Sequence, residues 1–539
     1  MRDATKYWRN TSKTFLESIG ASESIADPAM FYWPGHGQES HFGKPKCTSR
    51  DDFDLSKLPA EINEGVVKGK VFGCVAIHVD DIAIFGGMNF VKWFTGRVQE
   101  KFDTKEFSEG KFCHLGMQIE QTDEGNILMQ AKGYESGIAE VSLEPERIAM
   151  PDAILDERET HEFRSSLGKL MWVARLTRPD LAFESAASAQ KYADGIKILQ
   201  EYVLDEVETD TFIEEFQYKP VSNNCSVYRS SKNVSHMPGF EDSKIEDVTA
   251  NKVILGKKKV EAKPQTHIKV KNAVYLNKAI RKLKARSGAK VKFTDVLKGK
   301  IEDLRVVIHC DAGSIETIEK SKSQIGVVAM AQSKDPKVIY PEDNFRIPDV
   351  KGARKQVRNR PYIRSVPIFW TSGKSERVAI SSFAAELQAI YCAFDAGTVL
   401  RQLYSELICG HSAGFIPVEI RNDQISVVNA LNGMSAIPTD RKLAGTMRCI
   451  REMLEKSEIS SLTYVQGQLN MADALTKSTS VNELFYLLIN NKCAAATTQN
   501  VKEKLRSTAA GKQYLMLQDL KTRNFRKDHS PQREWTSDE

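Results

Sequence analysis

Apolar and polar positions alternate along this chain in two rhythms, separated by one long stretch that has neither. Residues 71–79 form a nearly continuous apolar run rich in β-branched side chains, followed by Asp80-Asp81, a second apolar run at 82–85 and Gly86-Gly87. Two apolar arms around a polar pair predict a β-hairpin with both faces buried. Nearer the other end, residues 305–311 and 417–423 read as apolar strands that each finish on an acid, Asp311 and Asp423. Between them Phe383, Leu387, Ile390, Tyr391 and Phe394 recur at helical spacing, with Ser381 or Ser382 as N-cap, which puts Glu386 in the first turns beside the buried stripe. Residues 462–477 read as strand, loop and helix, with Asp473 near the helix start. An amphipathic helix is predicted over 481–490, followed by a polar tail predicted to be disordered. Residues 201–275 are acidic, then Ser/Asn-rich, then lysine-rich, without clear periodicity, and read as an insertion or linker.

Composition changes this picture in three places. A length of 539 residues sets a prior of three or four domains, and 41% hydrophobic with 27% charged residues is the make-up of a folded globular protein. No run approaches the ~18 apolar residues of a spanning helix, and Met1-Arg2-Asp3 opens no signal peptide. The expectation is an intracellular protein, cytoplasmic and/or nuclear, that is neither secreted nor membrane-bound. Nine cysteines without a C-x-x-C pair argue against structural zinc and against a disulfide framework. The net charge of +5 hides an asymmetry: 201–250 hold eleven acids against four bases, whereas 251–300 hold sixteen Lys/Arg against Glu261 and Asp295. A second basic stretch, 351–364, carries six Lys/Arg and no acid. Dense local Lys/Arg suits a polyphosphate partner, and suits a solvated helix or linker about equally well.

The acids are the candidate chemistry. Asp80 and Asp81 are good turn residues, but two adjacent carboxylates between buried strands also repel each other and lose hydration unless a cation neutralises them. Hard divalent ions such as Mg²⁺ take oxygen ligands of this kind. Asp311 and Asp423 on strand ends, Glu386 inside a helix and Asp473 on a later helix could converge to hold two Mg²⁺ or Mn²⁺ ions. Each of them alone would be read as a cap or surface residue. Glu419, on the strand before Asp423, lies outside that set, and its replacement is expected to be silent.

Two resemblances give these residues a context. Ile77-His78-Val79-Asp80-Asp81-Ile82 resembles the Y-V-D-D box of reverse transcriptases of copia-type LTR retrotransposons, with His78 where the family has Tyr. Further stretches resemble that family in its order: Trp8 to Trp33, the Phe102 to Met117 hairpin, Phe163-Arg164-Ser165-Ser166-Leu167-Gly168, and Thr177-Arg178-Pro179-Asp180-Leu181-Ala182. The third metal-binding Asp of such polymerases has no counterpart before Lys70. Asp27 sits in another motif, and Asp51, Asp52 and Asp54 lie in a polar loop. The resemblance therefore implies reverse transcriptase ancestry with an incomplete polymerase site.

Downstream, Trp370-Thr371-Ser372, Val378-Ala379-Ile380-Ser381-Ser382, Ala385-Glu386, Asp423-Gln424-Ile425-Ser426 and Leu469-Asn470-Met471-Ala472-Asp473-Ala474-Leu475-Thr476-Lys477 resemble the RNase H domain of the same elements. The departures are Gln424 where Asn is usual, and a long hairpin between Met330 and Phe369. Together the resemblances imply an α/β and α+β chain. It would comprise a truncated reverse transcriptase palm/thumb at 1–195, an insertion at 196–275, a basic connection at 276–300, an RNase H-like mixed sheet with helices at 301–480, and a helix plus tail at 481–539. They imply the C-terminal part of a Pol polyprotein. Asp80, Asp81, Asp311, Glu386, Asp423 and Asp473 would be its catalytic metal ligands, two Mg²⁺ or Mn²⁺ ions its cofactor in the RNase H site, and an RNA–DNA hybrid its partner. The alternative is a decayed or host-retained relic that binds nucleic acid without chemistry. An integrase-like nuclease fits the motifs less well.

Overall fold

The computed structural model describes residues 2–34, 71–79, 81–104, 107–193, 267–295, 297, 303–314, 322–339, 362–379, 381–409, 416–434, 440–477, 481–494, 505–506, 508–509 and 511–516. Asp80, the lysines at 257–259, the polar loop with Asp51, Asp52 and Asp54, and nearly all of the 196–275 insertion lie outside these residues.

The chain opens with α1 (Arg2–Ser18) and a four-stranded antiparallel sheet, β1 (Ser22–Glu23), β2 (Met30–Pro34), β3 (Val71–His78) and β4 (Asp81–Gly86), joined in that order. α2 (Met88–Lys101) lays Phe90, Phe94 and Val98 on this sheet, against Trp33, Val75 and Leu16. Gly73 and Gly86 make this possible, because a Cβ on either would lie within 2.5 Å of the Phe90 ring. The expected hairpin is present, but its two faces are not both buried. Val75 and Ala83 are covered, while Val79 and Asp81 at the tip face solvent. The deepest positions of β3, Gly73 and Val75, alternate as packing on one face requires, and at the tip Val79 turns the chain with φ 55 while Trp8 of α1 donates to its carbonyl.

A second antiparallel sheet consists of β5 (Lys111–His114), β6 (Met117–Gln121), β7 (Ile127–Gln130) and β8 (Val291–Phe293). Beside it α3 (Glu157–Leu176), capped by Asp156 in a reciprocal capping box with Glu159, packs on α4 (Val270–Ala285) through Phe163, Leu170, Leu276 and Ile280. The boundary drawn at 275/276 therefore falls inside one continuous helix. α4 and β8 complete the unit begun at residue 107, because α4 carries an apolar stripe that α3 covers together with Ile138, Val141 and Leu155. Much of the positive charge on this stretch is spent within the chain. Lys269 and Lys271 pair with Asp152, Arg281 with Glu140, Lys282 with Glu184 and Arg286 with Asp180. Pro179 opens a short 3-10 turn, and Arg178 before it is fully buried, holding Asp180 at 2.9 and 3.0 Å.

The third sheet is mixed. β10 (Ser323–Ser333) runs antiparallel to both of its neighbours, β9 (Leu304–Ser314) and β13 (Val366–Lys374), while β14 (Val418–Asn422) and β15 (Ser461–Tyr464) continue parallel to β9. The order across the sheet is β13-β10-β9-β14-β15. The long α5 (Ser382–Cys409), N-capped by Ser381, and α6 (Arg441–Glu455) cover one face around Leu387, Ile390, Phe394, Met447 and Ile450. α7 (Val481–Asn490) covers the other face with Leu484 and Leu487. Beyond α7 the chain does not become a structureless tail at once. β11 (Val338–Ile339), β12 (Tyr362–Arg364) and β16 (Lys492–Ala494) form a small sheet. Leu505 and Tyr514 then join the main core, the Tyr514 hydroxyl accepting from the Tyr464 N–H at 3.0 Å. The basic stretch 351–364 is described only at β12. No helix among the described residues is long and apolar enough to cross a membrane.

Glu419 corrects an expectation. It is the centre of a partly buried network: Arg421 donates to both its oxygens at 2.9 and 3.2 Å, Arg305 at 3.4 Å and Thr463 at 2.9 Å. Burial alone would raise its pKa, but the two guanidiniums outweigh it and hold the carboxyl at about 2. The folded value is depressed, so this stability is present above the unfolded value of ~4.3 and lost as pH falls toward the folded one. Glu419→Gln leaves the buried Arg421 and the partly buried Arg305 without their counter-charge, and should cost about 2 kcal/mol in urea unfolding at pH 7. A variant as stable as the parent would show the network to be energetically idle.

Candidate metal centre

The mixed sheet brings three acids of separate elements to one place. Asp311 lies on β9, Asp423 directly follows β14, and Glu386 sits one turn into α5, where the Ser381 cap starts the helix next to the sheet. One carboxylate oxygen from each lies within 4.8 Å of the other two, and both Asp311 and Glu386 are buried. Bringing these charges together is costly. Burial first, and the neighbouring Asp311 charge second, push Glu386 up to about 8 and Asp423 up to about 6. Asp311 is raised too, chiefly by burial, against a hydrogen bond from Thr476 and the charge of Lys477. Three hard oxygen donors that repel one another in a buried cleft are a donor set that fits a hard divalent cation.

Asp473, the fourth predicted acid, is brought to the rim and not into the three-ligand group. It lies in a 3-10 turn, Met471–Leu475, whose N-cap is Asn470. This turn is seated on the sheet with almost no clearance. A Cβ on Gly313 would lie 2.8 Å from the Thr476 carbonyl oxygen, and one on Gly326 would lie 2.7 Å from Leu475 Cβ. Ser372 donates to the Leu475 carbonyl at 2.6 Å, and Asn470 to the Cys310 carbonyl at 2.9 Å. The buried His309 ring accepts from the Met471 N–H at 3.1 Å.

Several contributors escaped the sequence reading. Asn422 donates to Glu386 at 2.8 Å and to the Cys310 carbonyl at 3.2 Å, tying helix, β9 and β14 together at the acids. The Thr476 hydroxyl donates to Asp311, and Lys477 pairs with Asp473 while lying 3.8 Å from Asp311. Their signal was adjacency: Asn422 precedes Asp423, and Lys477 stands four residues after Asp473.

The hairpin acids stand apart. Asp81 is exposed, opposite His78 in the β3–β4 register, and among the described residues it joins no group of three potential metal ligands. Asp80 lies outside the described residues.

No protein-family profile matches the chain, and no curated protein matches its sequence. Solved structures give weak likenesses to RNase H domains, each covering 33% of this chain. One is LC11-RNase H1 in complex with an RNA/DNA hybrid (16% identity, 99% of that chain, TM-score 0.20). Another is the N-terminal RNase H domain of a Mycobacterium tuberculosis protein, fused to maltose-binding protein (14% identity, 94% of that chain, TM-score 0.20). A third is LC11-RNase H1 isolated from compost by a metagenomic approach (14% identity, 97% of that chain, TM-score 0.19).

The raised acids set a pH dependence. An acid whose folded pKa is raised contributes stability below its unfolded value, and that contribution is lost as pH rises through the folded one. For Glu386 the window runs from about pH 4.3 to about 8. Without divalent ions the melting midpoint should fall between pH 5 and 8, and Glu386→Gln should flatten that fall. Parallel curves for parent and variant in calorimetry would show that Glu386 does not carry the effect.

Proposed function

We propose that residues 301–480 form an RNase H-like domain that cleaves the RNA strand of RNA–DNA hybrids, in a chain that is the C-terminal part of a copia-type Pol polyprotein. The observation that carries this reading is the convergence of Asp311, Glu386 and Asp423 at the end of a mixed sheet, with Asp473 on the rim. Glu386, Asp423 and Asp473 stand in motifs that resemble that domain, and Asp311 ends the apolar strand read at 305–311. Divalent ions held there would activate water and stabilise the leaving 3′ oxygen. The protein's own groups prepare the site. Asn422 fixes the Glu386 carboxylate, Thr476 fixes Asp311, and the tightly seated 3-10 turn presents Asp473 toward Lys477. The basic stretches within 257–300 and at 351–364 would hold the hybrid through its phosphates, with little base preference.

Residues 1–195 fit reverse transcriptase palm/thumb ancestry on their motifs, and we assign them no polymerase activity. Asp81 on its exposed tip lacks a three-ligand group among the described residues, and two-metal phosphoryl transfer requires both ions clamped.

The test is a cleavage assay on a hybrid with 5′-labelled RNA. The chain should cleave with Mg²⁺ or Mn²⁺ and not with EDTA, Asp311→Asn should abolish cleavage while keeping the fold, and poly-A/oligo-dT should not be extended. Cleavage that survives in Asp311→Asn would remove the proposed mechanism. Hybrid binding without cleavage would favour a nucleic-acid-binding relic.

A further inference from the structure

We propose that Lys477 is a resident cation of the acidic site: its ammonium holds the Asp311–Asp473 side, so that the site takes one divalent ion tightly where four carboxylates would otherwise take two. The inference rests on the metal-site reading above and adds to it the number of ions held.

The four acids are unequally arranged. Asp311, Glu386 and Asp423 bring oxygens within 4.8 Å of one another, whereas Asp473 is outside that group. The gap is bridged by a side chain already present, since Lys477 Nζ pairs with Asp473 Oδ1 and lies 3.8 Å from Asp311 Oδ2. Chance placement of a surface lysine does not account for this. The backbone N–H of Lys477 donates to the Asp473 carbonyl at 3.1 Å, which fixes the two side chains in register. The seat that delivers Asp473, made by Gly313, Gly326 and Ser372, therefore delivers Lys477 as well. Thr476 between them is bound to Asp311 itself. An ammonium and a divalent ion repel each other strongly at contact distance, so they cannot share these oxygens. The Lys477 side chain is 49% exposed on a flexible stem, so it can be displaced, which makes the second ion a matter of competition.

The competition can be counted by titrating Mn²⁺ into the full-length chain and reading free Mn²⁺ by electron paramagnetic resonance. Parent and Lys477→Arg should each bind one ion tightly. Lys477→Gln should bind two, the second at least about tenfold tighter than in the parent. Equal stoichiometry and affinity in parent and Lys477→Gln would overturn the proposal and leave Lys477 a simple ion-pair partner. Asp311→Asn separates the two levels of the argument, because it should lose the tight ion in either background. Tight uptake unchanged in Asp311→Asn would sink the metal-site reading, and this inference with it.

Discussion

Holding Asp311, Glu386 and Asp423 together against their own repulsion is the constraint that the surrounding structure serves. Three carboxylates within 4.8 Å, two of them buried, lose hydration and repel, which is why Glu386 rises to about 8 and Asp423 to about 6. Such a site survives only on a rigid frame. Here the frame is the parallel ladder between β9 and β14, with α5 pressed on their apolar face by Leu387, Ile390 and Phe394. Asn422 is the joint of that frame. Its amide donates to Glu386 and to the β9 backbone, and its side-chain oxygen accepts from the Gln424 N–H at 2.9 Å. A neutral amide can occupy the centre of an acidic group without adding to the repulsion, which neither a carboxylate nor a bulky apolar side chain could do.

A second requirement is close approach. The 3-10 turn bearing Asp473 lies so near β9 and β10 that two strand positions must lack a side chain, Gly313 and Gly326. Glycine in a strand interior is normally a loss, because it packs nothing and loses more entropy on folding. Here the loss is what allows backbone to meet backbone. Ser372 and Gln324 extend the same seat, Gln324 donating to Ser372 at 2.7 Å and Ser372 onward to Leu475. The Trp370-Thr371-Ser372 motif thus has a physical role: Trp370 donates to the Ala174 carbonyl on α3 at 2.8 Å while Ser372 anchors the turn.

What could be read from the sequence follows from the range of each interaction. Period-two and helical patterns are local, so the β3–β4 hairpin, the Ser381 cap and the helix over 481–490 were legible. The acids were legible because motif order ties them together. Features that depend on distant partners were not. Glu419 read as a silent strand acid because two of its partners, Thr463 and Arg305, lie 44 and 114 residues away, although Arg421 stands only two residues on. α4 read as a boundary because its basic residues masked the stripe Ala273, Leu276, Ile280 and Leu283 that packs on α3. Gly313 and Gly326 looked like ordinary strand glycines until the turn that lies on them was in place.

Among the described residues a buried charge joins the N-terminal sheet to the helix on the mixed sheet, and this joint bears on what the N-terminal segment contributes. Glu406 on α5 is fully buried, and its carboxylate accepts from the Ser24 hydroxyl, from the Ile25 N–H at 3.2 Å and from Gln402 at 2.6 Å. Two of those three donors belong to the turn after β1. Without that turn Glu406 would face the interface as a carboxylate with one donor, and burying such a charge is far more costly than burying a neutral group. Glu386 and Glu406 lie on the same helix, so the turn that satisfies one end of α5 also steadies the end that carries an acid of the site. A segment that shows no three-ligand group among its described residues thereby has a structural reason to stay attached to the domain that carries the candidate one.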